Sequence, residues 1–412
     1  MVKCPSPTRR SLLIGSVAAS LWPCAASTQE GQDLVLRDGP LILPPLKARR
    51  GEPFRLRVKN EKREPTALHW RGVRLRHDMD GAAPLTQKPI APGETFDVAF
   101  TPPDAGTFLC HANLRENAGA QIADGLIFPF IVEDDKDPNV DLDLVCLLQD
   151  KGRDEKSAPH VLINGSDQPL AYDLRPCKRL RLRLASASTH HMMSVTLEGA
   201  RSLVAAIDGQ PCGLFEPEKQ TVPLAPAQRY DLIVDLPRET GRKITLNVRV
   251  LGHDTDTPVT TAIFHTIGEA LDPREAFSSL PPNPLLPEQI ALQRATRRDL
   301  TLERAPNDGW LVNGAPANIF APTPLFSVKK GTPVALGFIN KTGRPQLLHP
   351  HGHVMRHIHL YDDGWDPYWR DTIIVPEGRT MRVAFVADNP GRWAIAGGMD
   401  RRDGPLLWFE VT

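Results

Sequence analysis

The chain has 412 residues, more than one hydrophobic core ordinarily holds, so several domains are expected. Lys plus Arg and Asp plus Glu both number 49, and this balance excludes the basic surplus that nucleic-acid binding draws on. The 40 prolines, set against 6% aromatic residues, fit many short strands joined by turns, because proline is barred from helix interiors and central strands.

The N-terminus reads as an export leader over residues 1–28. Thr8–Leu13 (TRRSLL) is a twin-arginine motif that leads into an apolar run from Leu12 to Leu21, and small residues follow at Ala25, Ala26 and Ser27. That run is shorter than the roughly 18 apolar residues a spanning helix needs, and no later segment reaches that length, so no transmembrane segment is expected. The expected location is the periplasm. Cys4 and Cys24 fall in the leader, which leaves Cys110, Cys146, Cys177 and Cys212. Three complete pairings of those four are open, Cys177 with Cys212 among the possible bridges, and none has the spacing of a Cys-x-x-Cys site.

An internal repeat organises the rest. Gly51–Asn60 (GEPFRLRVKN) aligns with Gly331–Asn340 (GTPVALGFIN), and the same offset continues through Pro65/Pro345, Leu68/Leu348, His69/His349 and Gly72/Gly352. A second block repeats at a slightly larger offset and pairs Gly93, Val98, Phe100 and Gly106 with Gly378, Val383, Phe385 and Gly391. In both copies apolar residues alternate, as in Phe54, Leu56 and Val58, with Gly and Pro at the ends. Each copy is therefore expected to be an antiparallel β-sandwich of roughly 110 residues. Between them, Leu180, Leu182 and Leu184 alternate with basic residues and Tyr230–Asp235 is a further strand, so a third sandwich stands in the middle. The predicted layout is all-β, with domains at 29–137, 138–270 and 291–412 and a Pro- and Ser-rich linker at 271–290.

The motifs follow in chain order. Leu68–Gly72 (LHWRG), Asp80 with Gly81, Gly106–Asn113 (GTFLCHAN), His349–His353 (HPHGH), Trp369–Pro376 (WRDTIIVP) and Ala387–Trp393 (ADNPGRW) together resemble the signatures of the three-domain multicopper oxidases, which are built from Greek-key cupredoxin, or plastocyanin-like, domains. In that family a type 1 copper held by one Cys and two His takes electrons from substrate. A His-Cys-His bridge passes them to a three-copper cluster held by eight His.

Carried over residue by residue, the resemblance implies loss of the type 1 site. The bridge maps onto Ala396, Gly397 and Gly398, the first type 1 His onto Gln346 and the second onto about Arg402. No cysteine stands near, and a blue copper centre needs the thiolate. Of the cluster ligands, His69, His111, His349 and His351 survive, whereas Arg71, Asn113, Ala396 and Gly398 occupy other ligand positions. A guanidinium at 71 opposes a second cation there. The four histidines are candidate ligands for one mononuclear ion, copper above all, and Asp80 is the candidate carboxylate behind them.

Weaker candidates are His357 and His359, which read as surface histidines beside Ile358, and His190–Met193 (HHMM), which resembles soft-ligand clusters but reads as strand with buried methionines. Met355 reads as core. Two functions stay open. One is a non-catalytic binding or scaffold protein of the cell envelope with no copper, similar to twin-arginine-exported family members that support cell division. The other is a copper-binding protein with one type 2-like histidine site, serving as a carrier or a mononuclear oxidoreductase. Its partner would be an envelope protein or a metal donor or acceptor. Conventional oxidase activity is not expected.

Overall fold

Alternation builds the strands as expected. In Phe54–Asn60, Phe54, Leu56 and Val58 are buried while Arg55, Arg57 and Lys59 face solvent. The computed structural model describes residues 32–134, 139–151, 160–252, 257–307, 309–359, 364–399 and 404–412. The leader with Cys4 and Cys24, and Arg402, lie outside the described residues. Among these residues no helix is long and apolar enough to cross a membrane.

Six sheets pair into three sandwiches. The first packs the three strands Gln32–Leu36, Phe54–Asn60 and Thr95–Phe100 on a four-stranded sheet that holds Leu68–Arg71 and Gly106–Ala112. Trp70 fills its centre, with ring centroids 5.0–5.5 Å from those of Phe54, Phe100 and Phe130. The second joins a five-stranded to a six-stranded sheet around Leu180, Leu182 and Leu184, and the third does the same around Phe338, Phe385 and Trp393. Residues 271–290 contain no strand.

The sheets are mixed, whereas alternation alone suggested antiparallel ones. Gln32–Leu36 runs parallel to Phe54–Asn60, Leu142–Lys151 to Arg179–Ser186, and Thr296–Arg304 to Thr332–Lys341. Parallel neighbours need a long crossover, and a chain that passes between the two layers of a sandwich supplies one. The repeat is exact at its turns. Asn60 Nδ2 donates to the Glu64 and Ile90 carbonyls, and Asn340 Nδ2 donates to the Arg344 and Val375 carbonyls. No disulfide forms among the described residues: Cys110, Cys146 and Cys212 are single thiols buried inside sandwiches, and Cys177 sits half-buried in a turn.

Candidate metal centre

The first and last domains meet face to face, and the repeat brings equivalent residues together there. His69 comes from Leu68–Arg71, His349 from Gln346–Pro350, and both are buried. With His351 they form a cluster whose ligating atoms all lie within 4.8 Å of one another. The His351 ring stacks on that of His69 with centroids 3.9 Å apart. His111 pairs with His69 across neighbouring strands, its ring centroid 5.4 Å away, and stands beside that group of three rather than in it. The intervening residues Trp70 and Cys110 point the other way into the core, as a period of two requires, so the Cys110 thiol is not part of the site.

The tautomers follow from what each Nδ1 touches. His69 Nδ1 lies 2.8 Å from the Asp80 carbonyl oxygen, His349 Nδ1 lies 2.6 Å from that of Asp371, and His351 Nδ1 lies 2.8 Å from Asp80 Oδ2. Carbonyl and carboxylate oxygens only accept, so each Nδ1 carries the proton and each Nε2 presents a lone pair. Yet His69 Nε2 and His349 Nε2 face each other at 3.1 Å. Two lone pairs at that distance repel unless a cation lies between them. A proton on His349 is disfavoured, because burial first, and then the charges of Arg71 and the neighbouring imidazoles, hold that ring well below the usual histidine range. A metal ion fits: two metal–nitrogen bonds of about 2.0–2.1 Å, roughly at right angles, put their nitrogens about 3 Å apart. Asp80 stays ionised behind the rings; burial opposes its charge, and His351 and His69 outweigh it, so its carboxyl lies well below the usual range.

The positions expected to have lost ligands are built to other ends. Arg71 is fully buried, donates through Nη2 to Thr372 Oγ1 at 2.6 Å and lies 3.9 Å from Asp371. Burial lowers its pKa to about 10, which leaves it a fixed cation. Asn113 Nδ2 donates to the Gly81 carbonyl, and Gln346 Nε2 donates to Thr342 Oγ1 in the adjoining turn. Ala396 sits opposite His349 on Gly391–Gly397, with Gly397 and Gly398 next. A Cβ at Gly397 would come within 2.6 Å of Gly404 Cα, so the space a cysteine would need is filled by backbone.

Sequence reasoning missed a buried charge network joining all three domains. Arg229 Nη2 donates to Asp371 Oδ2 at 2.6 Å, both residues fully buried, and Arg229 Nε donates to the Thr107 carbonyl. Asp208 accepts the backbone N–H groups of Arg229, Asp371 and Thr372. Gly72, in the LHWRG motif, has no room for a side chain because this ion pair packs on it. The sequence signal at Asp208 was an Asp–Gly turn, which marks a hairpin and says nothing about what its tip enters.

The other candidates lie apart from the centre. His357 and His359 flank buried Ile358 and both approach Asp366; Met355 and Met193 are core. A cleft of about 1300 Å³ runs between the first two domains and the linker, and none of its described lining residues is a histidine. Its arginines 179, 181 and 183 are each paired with an aspartate.

Three cupredoxin-like sandwiches with a histidine cluster between the outer two define a class, the multidomain copper oxidases. Profiles described as multicopper oxidase match residues 22–137, 142–269 and 289–399. The chain is 30% identical to Laccase-1 of Fomitopsis schrenkii over 88% of this chain and 79% of that protein. It is 27% identical to multicopper oxidase MmcO of Mycobacterium tuberculosis over 92% and 84%. The crystal structure of a multi-copper oxidase from Pseudomonas thermotolerans superposes with a TM-score of 0.78 at 25% identity, over 93% of this chain and 100% of that one. The chain belongs to the multicopper oxidase family.

Proposed function

We propose that this protein is an exported copper-binding member of the family, with one mononuclear histidine site in place of the four-copper machinery, and that it is not a conventional oxidase. The observation that supports this most is the His69–His349 contact, two Nε2 lone pairs at 3.1 Å with both Nδ1 protons committed elsewhere. His69, His349 and His351 would hold the ion, with His111 beside them. Copper bound there would supply a one-electron couple. Asp80 and the Asp371 carbonyl fix the rings and keep the proton of each neutral ring on Nδ1, which turns Nε2 toward the site and raises its basicity as a ligand. Arg71 fills part of the former cluster with a permanent charge that disfavours a second ion. Ala396, Gly397 and Gly398 offer no ligating atom, which leaves coupled four-electron reduction of dioxygen without a route. The twin-arginine motif supports a periplasmic location, where the partner would be a metal donor or acceptor.

The test is the metal content of mature protein from copper-fed cells, with its absorption and paramagnetic resonance spectra. About one copper per chain without an intense blue band near ~600 nm is expected, since that band needs the thiolate. No bound metal would overturn the proposal and leave the histidines structural, as in a copper-free envelope scaffold. Several coppers with a blue band would overturn the loss of the oxidase centre itself.

A further inference from the structure

His349 is held by a peptide of its own domain whose N–H side is bound by a carboxylate of the middle domain. The Asp371 carbonyl accepts from His349 Nδ1 at 2.6 Å, and the N–H of the same peptide unit, that of Thr372, donates to Asp208 Oδ2 at 3.4 Å. The preceding N–H, that of Asp371, reaches the same oxygen at 3.2 Å. Asp208 sits at the tip of the hairpin formed by Arg201–Ile207 and Gln210–Phe215, where it and Gly209 have φ of 49° and 81°. That tip is wedged against the first domain: a Cβ on Gly209 would meet Phe108 at 2.6 Å. Asp208 is fully buried, and Arg229 holds its Oδ1 through a backbone N–H at 3.1 Å.

We propose that Asp208 is a positioning residue for the metal site: from the middle domain it aims and polarises the Asp371 carbonyl that holds His349. This rests on the single-metal reading above. A carboxylate on the N–H side of a peptide strengthens the acceptor on its C=O side, because hydrogen bonds in a chain polarise one another. A stronger acceptor at Nδ1–H makes Nε2 a better donor to a metal, as a carboxylate does directly in carboxylate–histidine–zinc triads. The geometry agrees. The His349 contact, at 2.6 Å, is shorter than the contacts of His69, His111 and His353 to carbonyl oxygens, at 2.8, 2.8 and 3.0 Å. The middle domain supplies no histidine to the cluster, yet it sets how firmly one is held.

The experiment compares the full-length mature protein with Asp208→Asn, which keeps the shape of the hairpin tip and removes its charge. Asp104→Asn is the control. It removes a buried carboxylate from the same junction, bound to Arg74, Asn283 and Gln210, that makes no hydrogen bond to Asp208, Asp371, Thr372 or His349. Copper affinity is read by competition with a chelator. In metal-free protein with 15N-labelled histidine, the Nδ1 proton of His349 is followed by magnetic resonance. Asp208→Asn is expected to weaken copper binding about 10–100-fold and to move the His349 proton upfield. Asp104→Asn should change neither. Unchanged affinity and proton shift in Asp208→Asn would overturn the relay, as would equal losses in both variants. If the wild-type protein binds no copper, the single-metal reading falls by itself, and the proton shift still decides whether Asp208 reaches His349.

Discussion

Removing Arg229 leaves Asp371 charged, buried and close to His349. The guanidinium meets Asp371 Oδ2 at 2.6 Å and also donates to the carbonyls of Thr107, Ala227 and Asp208, so Arg229→Ala leaves four buried acceptors without their donor. Breaking a buried pair from one side costs about 3–5 kcal/mol, most of it the uncompensated charge. With an unfolding entropy of about 2.1 cal/mol/K per residue, that lowers the melting temperature by about 4–6 °C if the whole chain melts as one unit. If a domain of about 130 residues melts alone, the drop is about 11–18 °C. Scanning calorimetry of metal-free protein at neutral pH reads both the loss and the size of the cooperative unit. Adding Asp371→Asn to Arg229→Ala removes the stranded charge and is expected to recover at least about 1 kcal/mol. A fall of less than about 1 °C in Arg229→Ala would refute the reasoning, and so would a second substitution that only adds its own loss.

Three further outcomes are expected. Copper at about 1,000 times its dissociation constant should stabilise the wild-type protein by about 4 kcal/mol, and His69→Ala with His349→Ala should abolish that gain while circular dichroism stays unchanged. Gly397→Cys should give no blue band with copper and should cost about 1–3 kcal/mol in urea unfolding, because its Cβ would meet Gly404 backbone at 2.6 Å. Burial, and then the charge of Asp371, push the Asp208 carboxyl up to about 6. A raised folded-state value means that the folded protein binds this proton more tightly, so its contribution is full below the unfolded value of about 3.9 and is lost as pH rises through about 6. Asp371 and Asp80, both depressed in the fold, act in the opposite sense, and their contribution is lost as pH falls below about 4. His349 and His353, both held below the usual histidine range chiefly by burial, lose their contribution as pH falls from about 7 to about 5 and outweigh Asp208, so urea midpoints of metal-free protein should fall over that range and Asp208→Asn should steepen the fall.

The fold was legible because the repeat is a property of the chain. Alternation at Phe54, Leu56 and Val58 is local, and its echo at Val334, Leu336 and Phe338 identifies a second copy without any knowledge of contacts. The same symmetry placed His69 opposite His349. Parallel pairing was not legible, because partner choice between strands far apart in sequence leaves no mark on the alternation of either. Arg229 and Asp208 were hidden for a similar reason. An arginine on a strand and an aspartate in an Asp–Gly turn each have an ordinary local reading, and only the docking of three domains turns them into a buried network. The closure at Gly397 was half legible: the missing thiol is in the sequence, whereas the backbone that occupies its space is seen only in the fold.

The segment from Trp369 to Thr372 joins two tasks in one stretch of chain. Asp371 uses its side chain to lock the last domain to Arg229 of the middle one, and its carbonyl to hold His349, while Thr372 ties Arg71 of the first domain to the same point. Metal affinity and domain cohesion therefore share atoms, and linkage makes the effect reciprocal: whatever free energy the junction lends to metal binding, bound metal returns to the junction. Under the single-ion proposal, opening such a site would strain contacts between three domains, and the same contacts would hold the ion until something separates the domains.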